Sequence, residues 1–268
     1  MPELPEVETV ARQIRSQFLN KRITEVIAQP AIIFRDITAA QFASELAGKK
    51  LDAVRRYGKF LFWQTGNLFP MFHLGMSGIF LRDKKLSMYP QHIHISFEFE
   101  DGGNLYFQDA RKFSKVYLLR QEPDFDNLGV DPSKENFTLI NFRKLLNLKK
   151  MNIKTLLMDQ KIIAGIGNIY ASEILFGCGI RPTRSADSLS SKAAERLFYE
   201  IKRVLNAAIQ RFGTTYTAYR TVDGSAGTNQ NFLKVYQREG EPCIHCGRPI
   251  KKIIQNSRST FYCPKCQR

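Results

Sequence analysis

Four cysteines at the end of the chain set the tightest geometric condition in this sequence: Cys243-x-x-Cys246, then 16 residues, then Cys263-x-x-Cys266. Each pair can present two thiolates from one turn, and two facing turns close a tetrahedron around one Zn2+. Disulfides are the alternative. The chain opens MPELPEVETV, with neither a basic leader nor an apolar stretch, which reads as a cytosolic protein and argues against them. Four thiolates leave no open coordination position, so the metal is expected to be structural. His245, His92 and His94 are not needed as ligands, and Cys178, alone in an apolar stretch, reads as a buried small hydrophobe.

The 268 residues allow one large or two ordinary domains, at roughly 150 residues each. Hydrophobic residues make up 43% and charged residues 24%, a globular composition. No apolar run reaches the roughly 18 residues that span a bilayer, so no membrane partner is expected. Lys and Arg number 40 against 25 Asp and Glu, and a formal charge of +15 favours a polyanion.

Apolar residues at Val7, Val10, Ala11, Ile14 and Phe18 predict an amphipathic helix that begins near Pro5. Residues 22–120 read as short strands, of which the clearest pair spans 92–109. There Ile93, Ile95, Phe97 and Phe99 alternate with His92, His94, Ser96, Glu98 and Glu100, and Asp101-Gly102-Gly103 supplies the turn. Such spacing indicates a β-sandwich or barrel. Periodicity vanishes over 121–135, a linker rich in Pro, Gly, Asp and Asn. Beyond it the period is helical, ending in a long helix lined by Leu197, Ile201, Val204, Leu205, Ala208 and Ile209 and stopped by Gly213. The polar stretch 214–231 reads as a mobile loop.

Residues 237–268 carry seven Lys and Arg against Glu239 and Glu241. Lys251, Lys252 and Arg258 lie between the cysteine pairs, where a hairpin is expected to project them together onto phosphate; a merely solvated hairpin is the alternative. Gly165-Ile166-Gly167-Asn168 lacks the strand and third glycine of a dinucleotide fingerprint. It can instead make a tight turn that presents helix N–H groups to a phosphate. At the other end, removal of Met1 would give Pro2 a free secondary amine. An α-amino group has a pKa of about 7.7–8.0, so a useful fraction is neutral and can attack a sugar C1′ to give an iminium. Glu3 beside it could move a proton.

Taken in order, PELPEVETV, Arg56-Tyr57-Gly58-Lys59-Phe60, His73-Leu74-Gly75-Met76-Ser77-Gly78, Asp109-Ala110-Arg111-Lys112-Phe113, Gly167-Asn168-Ile169-Tyr170-Ala171-Ser172-Glu173 and the four-cysteine ribbon resemble the formamidopyrimidine-DNA glycosylases. The resemblance runs from residue 2 to residue 266. It implies an α+β protein with an N-terminal β-sandwich flanked by helices (2–120), a linker (121–135), a C-terminal helical domain with a helix-two-turn-helix motif (136–236) and a four-cysteine zinc-finger hairpin (237–268). By that resemblance Pro2 is the nucleophile, Glu3 its acid/base partner and Lys59 a cation reaching the damaged nucleotide, with Glu6 in support. Lys154, Asn168 and Arg258 hold phosphates, assisted by Tyr170, Tyr236 and Glu173, and His73 and His92 join the DNA contacts. Met76 and Arg111 fill the gap left by an extruded base, and Phe113 wedges the adjacent step.

The implied activity is that of a monomeric bifunctional glycosylase and AP lyase in the bacterial cytosol and nucleoid. It would excise 8-oxoguanine and formamidopyrimidines from duplex DNA, with Zn2+ as its one structural metal. Two rival readings are an endonuclease VIII-like enzyme for oxidised pyrimidines and a non-enzymatic zinc-ribbon protein that binds nucleic acid. Four positions depart from the common pattern: Thr155 where Pro is frequent, Ser114 where Gly is usual, Gln91-His92-Ile93-His94 in place of Lys-His-Asp-His, and Thr217 where a basic residue is common, with Arg220 nearby.

Overall fold

A computed structural model describes residues 1–147 and 150–268. It divides into two compact units, Met1–Asp124 with Ile209–Gln230, and Phe125–Ala208 with Asn231–Arg268. The first break falls inside the 121–135 linker. Residues 209–230, grouped with the helical region on sequence grounds, pack instead with the first unit.

The first unit starts with α1 (Leu4–Phe18), whose predicted face of Val7, Val10, Ala11, Ile14 and Phe18 is buried. The strands are β1 (Ile23–Ala28), β2 (Ala53–Tyr57), β3 (Phe60–Gln64), β4 (Phe69–His73), β5 (Gly78–Leu81), β6 (Ile93–Phe99), β7 (Asn104–Asp109) and β8 (Lys115–Leu119). They form two antiparallel four-stranded sheets, β1-β6-β7-β5 and β2-β3-β4-β8. Aromatic rings from both sheets interlock in one core. Trp63 meets Phe97 at 4.9 Å, and Phe72 meets Phe80 edge-on at 5.1 Å. Such contacts add to the area buried by each ring, and the outcome is the expected sandwich.

Two local readings change. Helix α2 (Ala39–Leu46) stands within a region read as strands. A capping box starts it: Thr38 Oγ1 accepts the Gln41 N–H at 3.1 Å and Gln41 Oε1 accepts the Thr38 N–H at 3.2 Å. The strict alternation read for β6 also fails, because a register shift between Ile93 and Ile95 turns His94 inward. One ring nitrogen of His94, Nε2, then lies 3.0 Å from the Asp109 carbonyl oxygen.

The polar stretch after Gly213 carries no helix or strand beyond a 3-10 turn at Asn229–Phe232, yet it is pinned. Val222 and Tyr219 are buried in the first unit's core. The Val222 N–H donates to Gln13 on α1 at 2.8 Å, and its carbonyl accepts from the Arg82 N–H at 3.0 Å. These anchors argue against the free loop expected from its polarity.

The second unit contains α3 (Leu139–Asn147), α4 (Ile153–Met158), α5 (Asn168–Cys178) and most of α6 (Ser191–Gln210), followed by a hairpin of β9 (Lys251–Gln255) and β10 (Arg258–Tyr262). Part of the NFTLINFRKLLNLKK reading, at 148–149, lies outside the described residues. Between α4 and α5 the chain reverses twice, and Gln160 staples the reversal. Its Oε1 accepts the Gly165 N–H at 2.9 Å and its Nε2 donates to the Ile166 carbonyl at 2.7 Å. Gly165 has φ +101°, where a side chain would be strained. Gly129 allows the linker to cross this turn, because a Cβ there would lie 2.1 Å from the Ile162 carbonyl carbon.

Truncating Phe72, which is fully buried between the sheets, is expected to destabilise the first unit by about 3–5 kcal/mol. Urea unfolding of Phe72→Ala followed by tryptophan emission, with Trp63 as the reporter in this core, measures it.

Candidate active site and metal centre

At the amino end, Pro2, Glu3 and Glu6 are all buried. Glu6 is the organiser: its Oε2 accepts the Glu3 N–H at 2.8 Å, and its Oε1 accepts the Thr214 N–H at 2.7 Å. One carboxylate therefore holds both the chain tip and the segment after Gly213. Burial lowers the pKa of the terminal amine below its usual value; Glu3 and Glu6 oppose the shift, while the Lys59 and Arg111 charges add to it. That amine belongs to Met1, whose side chain is exposed, while Pro2 behind it is buried.

Lys59 is buried beside the turn from β2 to β3, where Gly58 has φ +55°. Arg56 braces that turn. Its Nη1 donates to the Gly58 carbonyl at 2.9 Å, and its Nε pairs with Glu8 Oε2 at 3.0 Å. Burial pushes the Glu8 carboxyl up, but bonds from Arg12 and Arg56 outweigh it and hold the group below its ordinary value. The α1 face opposite the core thus fixes the backbone that carries Lys59, a role the sequence did not reveal for Arg56 or Glu8.

Met76 and Phe113 are open to solvent, at 42% and 53% exposure, so neither packs in the core. The Arg111 guanidinium carbon lies 4.8 Å from the Phe113 ring centroid. His73, at the end of β4, accepts the Gly75 N–H on Nδ1 at 3.2 Å, so its proton sits on Nε2. Burial first, then the Lys59 and Lys115 charges, lower its pKa to about 4. It offers a neutral N–H donor rather than a cation. His92 lies apart from it on the 3-10 turn Pro90–His92, its ring 6.2 Å from that of Tyr89.

In the second unit Lys154 is fully buried, and its ammonium donates to Asn168 Oδ1 at 2.6 Å, Thr260 Oγ1 at 2.6 Å and the Ser259 carbonyl at 3.1 Å. Asn168 Nδ2 reaches the same carbonyl at 3.0 Å. Lys154 thereby ties the start of α5 to β10. Tyr170 is fully buried. Glu173 accepts the N–H groups of Lys234, Val235 and Tyr236 at 2.8–2.9 Å, which sets the backbone at Tyr236. Burial raises its carboxyl pKa and the three donors oppose the rise.

Arg258 is exposed at the tip of the hairpin, after Asn256 and Ser257, both at positive φ as a type I′ turn requires. The expected clustering with Lys251 and Lys252 does not occur. Arg258 pairs with Gln255 while Lys252 pairs with Phe261, which separates them by about 10 Å along the ribbon. Lys252 instead faces Glu239 at 3.2 Å.

The four cysteine sulfurs lie within 4.8 Å of one another, with Cys243–Cys266 at 3.9 Å and Cys246–Cys263 at 3.5 Å. Zinc–sulfur bonds of about 2.3 Å in a tetrahedron require sulfurs about 3.8 Å apart, so the set fits one structural Zn2+. His245 stacks on Phe176 of α5 at 5.2 Å and adds no ligand.

Comparison with known proteins matches three families along the chain: the formamidopyrimidine-DNA glycosylase N-terminal domain over residues 1–116, the H2TH domain of the same enzymes over 128–220, and a zinc finger found in FPG and IleRS over 240–268. Formamidopyrimidine-DNA glycosylases of Listeria monocytogenes and Wolbachia pipientis are 38% and 40% identical to it, each over the whole of both chains. Among solved structures, the MutM (Fpg) protein from Thermus thermophilus has a TM-score of 0.88 at 35% identity, covering 99% of this chain and 98% of that one. The Lactococcus lactis Fpg in complex with abasic-site DNA has a TM-score of 0.90 at 32% identity, covering 99% of both. Sandwich, double-turn helices and thiolate hairpin, in that order, define a zinc-finger DNA glycosylase of base excision repair. The chain belongs to the formamidopyrimidine-DNA glycosylase family.

Two measurements follow from this geometry. A folded pKa of about 4 for His73 lies below its ordinary 6.5; the unfolded chain therefore takes up the proton first, and His73's contribution to stability is complete above 6.5 and is lost as pH falls toward 4. Wild type should lose more stability over that window than His73→Gln, with an NMR midpoint for His73 near 4. Separately, the protein should hold one zinc per chain by elemental analysis. Chelation should expose four fast-reacting thiols while Cys178, whose thiol burial pushes up to about 12, stays slow in a colorimetric thiol assay.

Proposed function

We propose that this glycosylase excises oxidised purines, 8-oxoguanine and formamidopyrimidines, from duplex DNA and then cleaves the strand through its AP lyase activity. One observation carries the reading: Pro2 and Glu3 are buried at the start of the chain with the Glu3 N–H held by Glu6, so the Pro2 nitrogen that removal of Met1 would free has a fixed place beside a carboxyl group. After removal of Met1, the Pro2 nitrogen forms a bond to C1′ as the glycosidic bond breaks and the base departs. The Pro2 nitrogen then gives up its proton, the C1′–O4′ bond opens with a proton delivered to O4′, and the iminium so formed draws electron density from the sugar; Glu3 carries these protons. Loss of a C2′ hydrogen expels the 3′ phosphate, and a second elimination expels the 5′ phosphate. Lys59 serves as the cation toward the nucleotide.

DNA contacts fall to both units. Asn168, with its side chain held by Lys154, and Arg258 at the hairpin tip bind phosphates, with Tyr170, Glu173 and Tyr236 shaping the backbone around them. His73, through its fixed Nε2–H, and His92 add polar contacts, and Met76, Arg111 and Phe113 occupy the opened stack. The formal charge of +15 suits such a phosphate-dominated interface. The Lactococcus lactis enzyme has also been crystallised with oxidised-pyrimidine DNA, so a lesion panel for this protein should carry both classes, with faster release of the purines expected.

Borohydride tests the nucleophile. It reduces the iminium to a stable crosslink, and mass spectrometry of the trapped complex should place the adduct on Pro2. An adduct on a lysine, or full activity in molecules that retain Met1, would overturn the assignment; absence of any trapping would favour a non-enzymatic DNA binder.

A further inference from the structure

We infer that Asp109 is a positioning residue that clamps Met76, Arg111 and Phe113 into one wedge, and that the Ser114 hydroxyl is a working part of the clamp. The inference rests on the proposed role of those three side chains in replacing an extruded nucleotide. Asp109 ends β7 and is fully buried. Its Oδ1 accepts from Ser77 Oγ at 2.5 Å and from the Arg111 N–H at 3.2 Å. Its Oδ2 accepts from Ser114 twice, from the N–H at 2.8 Å and from Oγ at 2.6 Å.

The placement of these donors is what gives the carboxylate its task. Ser77 directly follows Met76, Ser114 directly follows Phe113, and the remaining donor is the backbone of Arg111 itself. Each wedge residue is therefore held to the same two oxygens, either by its own N–H or by its chain neighbour. Ser77 Oγ closes the ring by also accepting the Arg111 N–H at 3.2 Å. Four donors fill the capacity of a carboxylate, so Asp109 has nothing left to offer a ligand and acts through the loops.

Backbone contact reinforces the tie. Gly75, just before Met76, has φ +57°, and a Cβ there would lie 2.5 Å from the Phe113 carbonyl carbon and oxygen and 2.7 Å from the Ser114 nitrogen. The two loops touch main chain to main chain, with no room for a side chain between them. A wedge must resist the restacking of the bases it separates. Three side chains on two independently moving loops would yield one at a time, whereas loops bonded to one buried carboxylate must yield together.

The test is stopped-flow fluorescence of a base analogue beside a lesion, which reports extrusion, paired with excision from duplex DNA and cleavage of an abasic site in single-stranded DNA, where no stack has to be opened. Ser114→Ala removes one bond and should slow extrusion by about threefold to tenfold, the range set by one net hydrogen bond; Asp109→Asn, which presents an N–H to existing donors, should slow it more. In both, the ratio of duplex to single-strand rates should fall with extrusion. Equal loss on both substrates, or unchanged extrusion in Ser114→Ala, overturns the clamp, and Ser114→Ala decides alone if Asp109→Asn fails to fold. A wild-type protein that does not extrude the lesion would instead refute the wedge role on which the clamp rests.

Discussion

A single buried carboxylate, that of Glu6, joins the beginning of the chain to a segment more than two hundred residues later. By accepting from Glu3 on one oxygen and Thr214 on the other, it holds Pro2 and Glu3 in the interior rather than leaving a frayed end. The lowered pKa of the Met1 amine depends on burial. So does the close approach at Gly213, where a Cβ would meet Glu6 Oε1 at 2.8 Å. An end held in this way keeps one position instead of sampling many.

The second unit solves a comparable problem with a cation. Lys154 directs three donors at Asn168, Ser259 and Thr260, so the start of α5 and the metal-bound hairpin are fixed by the same ammonium. Asn256 at the hairpin turn adds a bond to the Thr155 hydroxyl at 3.1 Å. Metal retention and the geometry around Asn168 are thus linked, although four thiolates close the coordination shell to any reacting group.

Much of this was legible in the sequence, and the exceptions share a cause. Local periodicity revealed α1, the sheets and the long α6, and cysteine spacing revealed the metal centre. Helix α2 announced itself only through Thr38 and Gln41, a four-residue signal inside a run of β-branched and aromatic residues. His94 turned inward because one extra residue in β6 sits at the shift between Ile93 and Ile95, while Ile95, Phe97 and Phe99 beyond it keep the expected buried face. Lys252 and Arg258 separated because strand register, not proximity in sequence, decides which residues are neighbours. Glu6, Arg56 and Asp109 have roles set by tertiary partners; no short window of sequence contains the Thr214 that Glu6 holds or the Ser77 that Asp109 accepts from. The exposure of Met76 and Phe113 likewise required the fold, since an apolar residue in a sequence does not say whether its side chain packs inside.

The bond from Thr214 to Glu6 spans 208 positions, and this has a consequence for biosynthesis. Long-range closures are slow because chain entropy is lost before the contact is rewarded. During translation α1 and both sheets can assemble while the ribosome is still making the helices, but Val222 and Tyr219 cannot enter their core until residue 230 has emerged. Until then Glu6 lacks its second donor, and the start of α1 is held from one side alone.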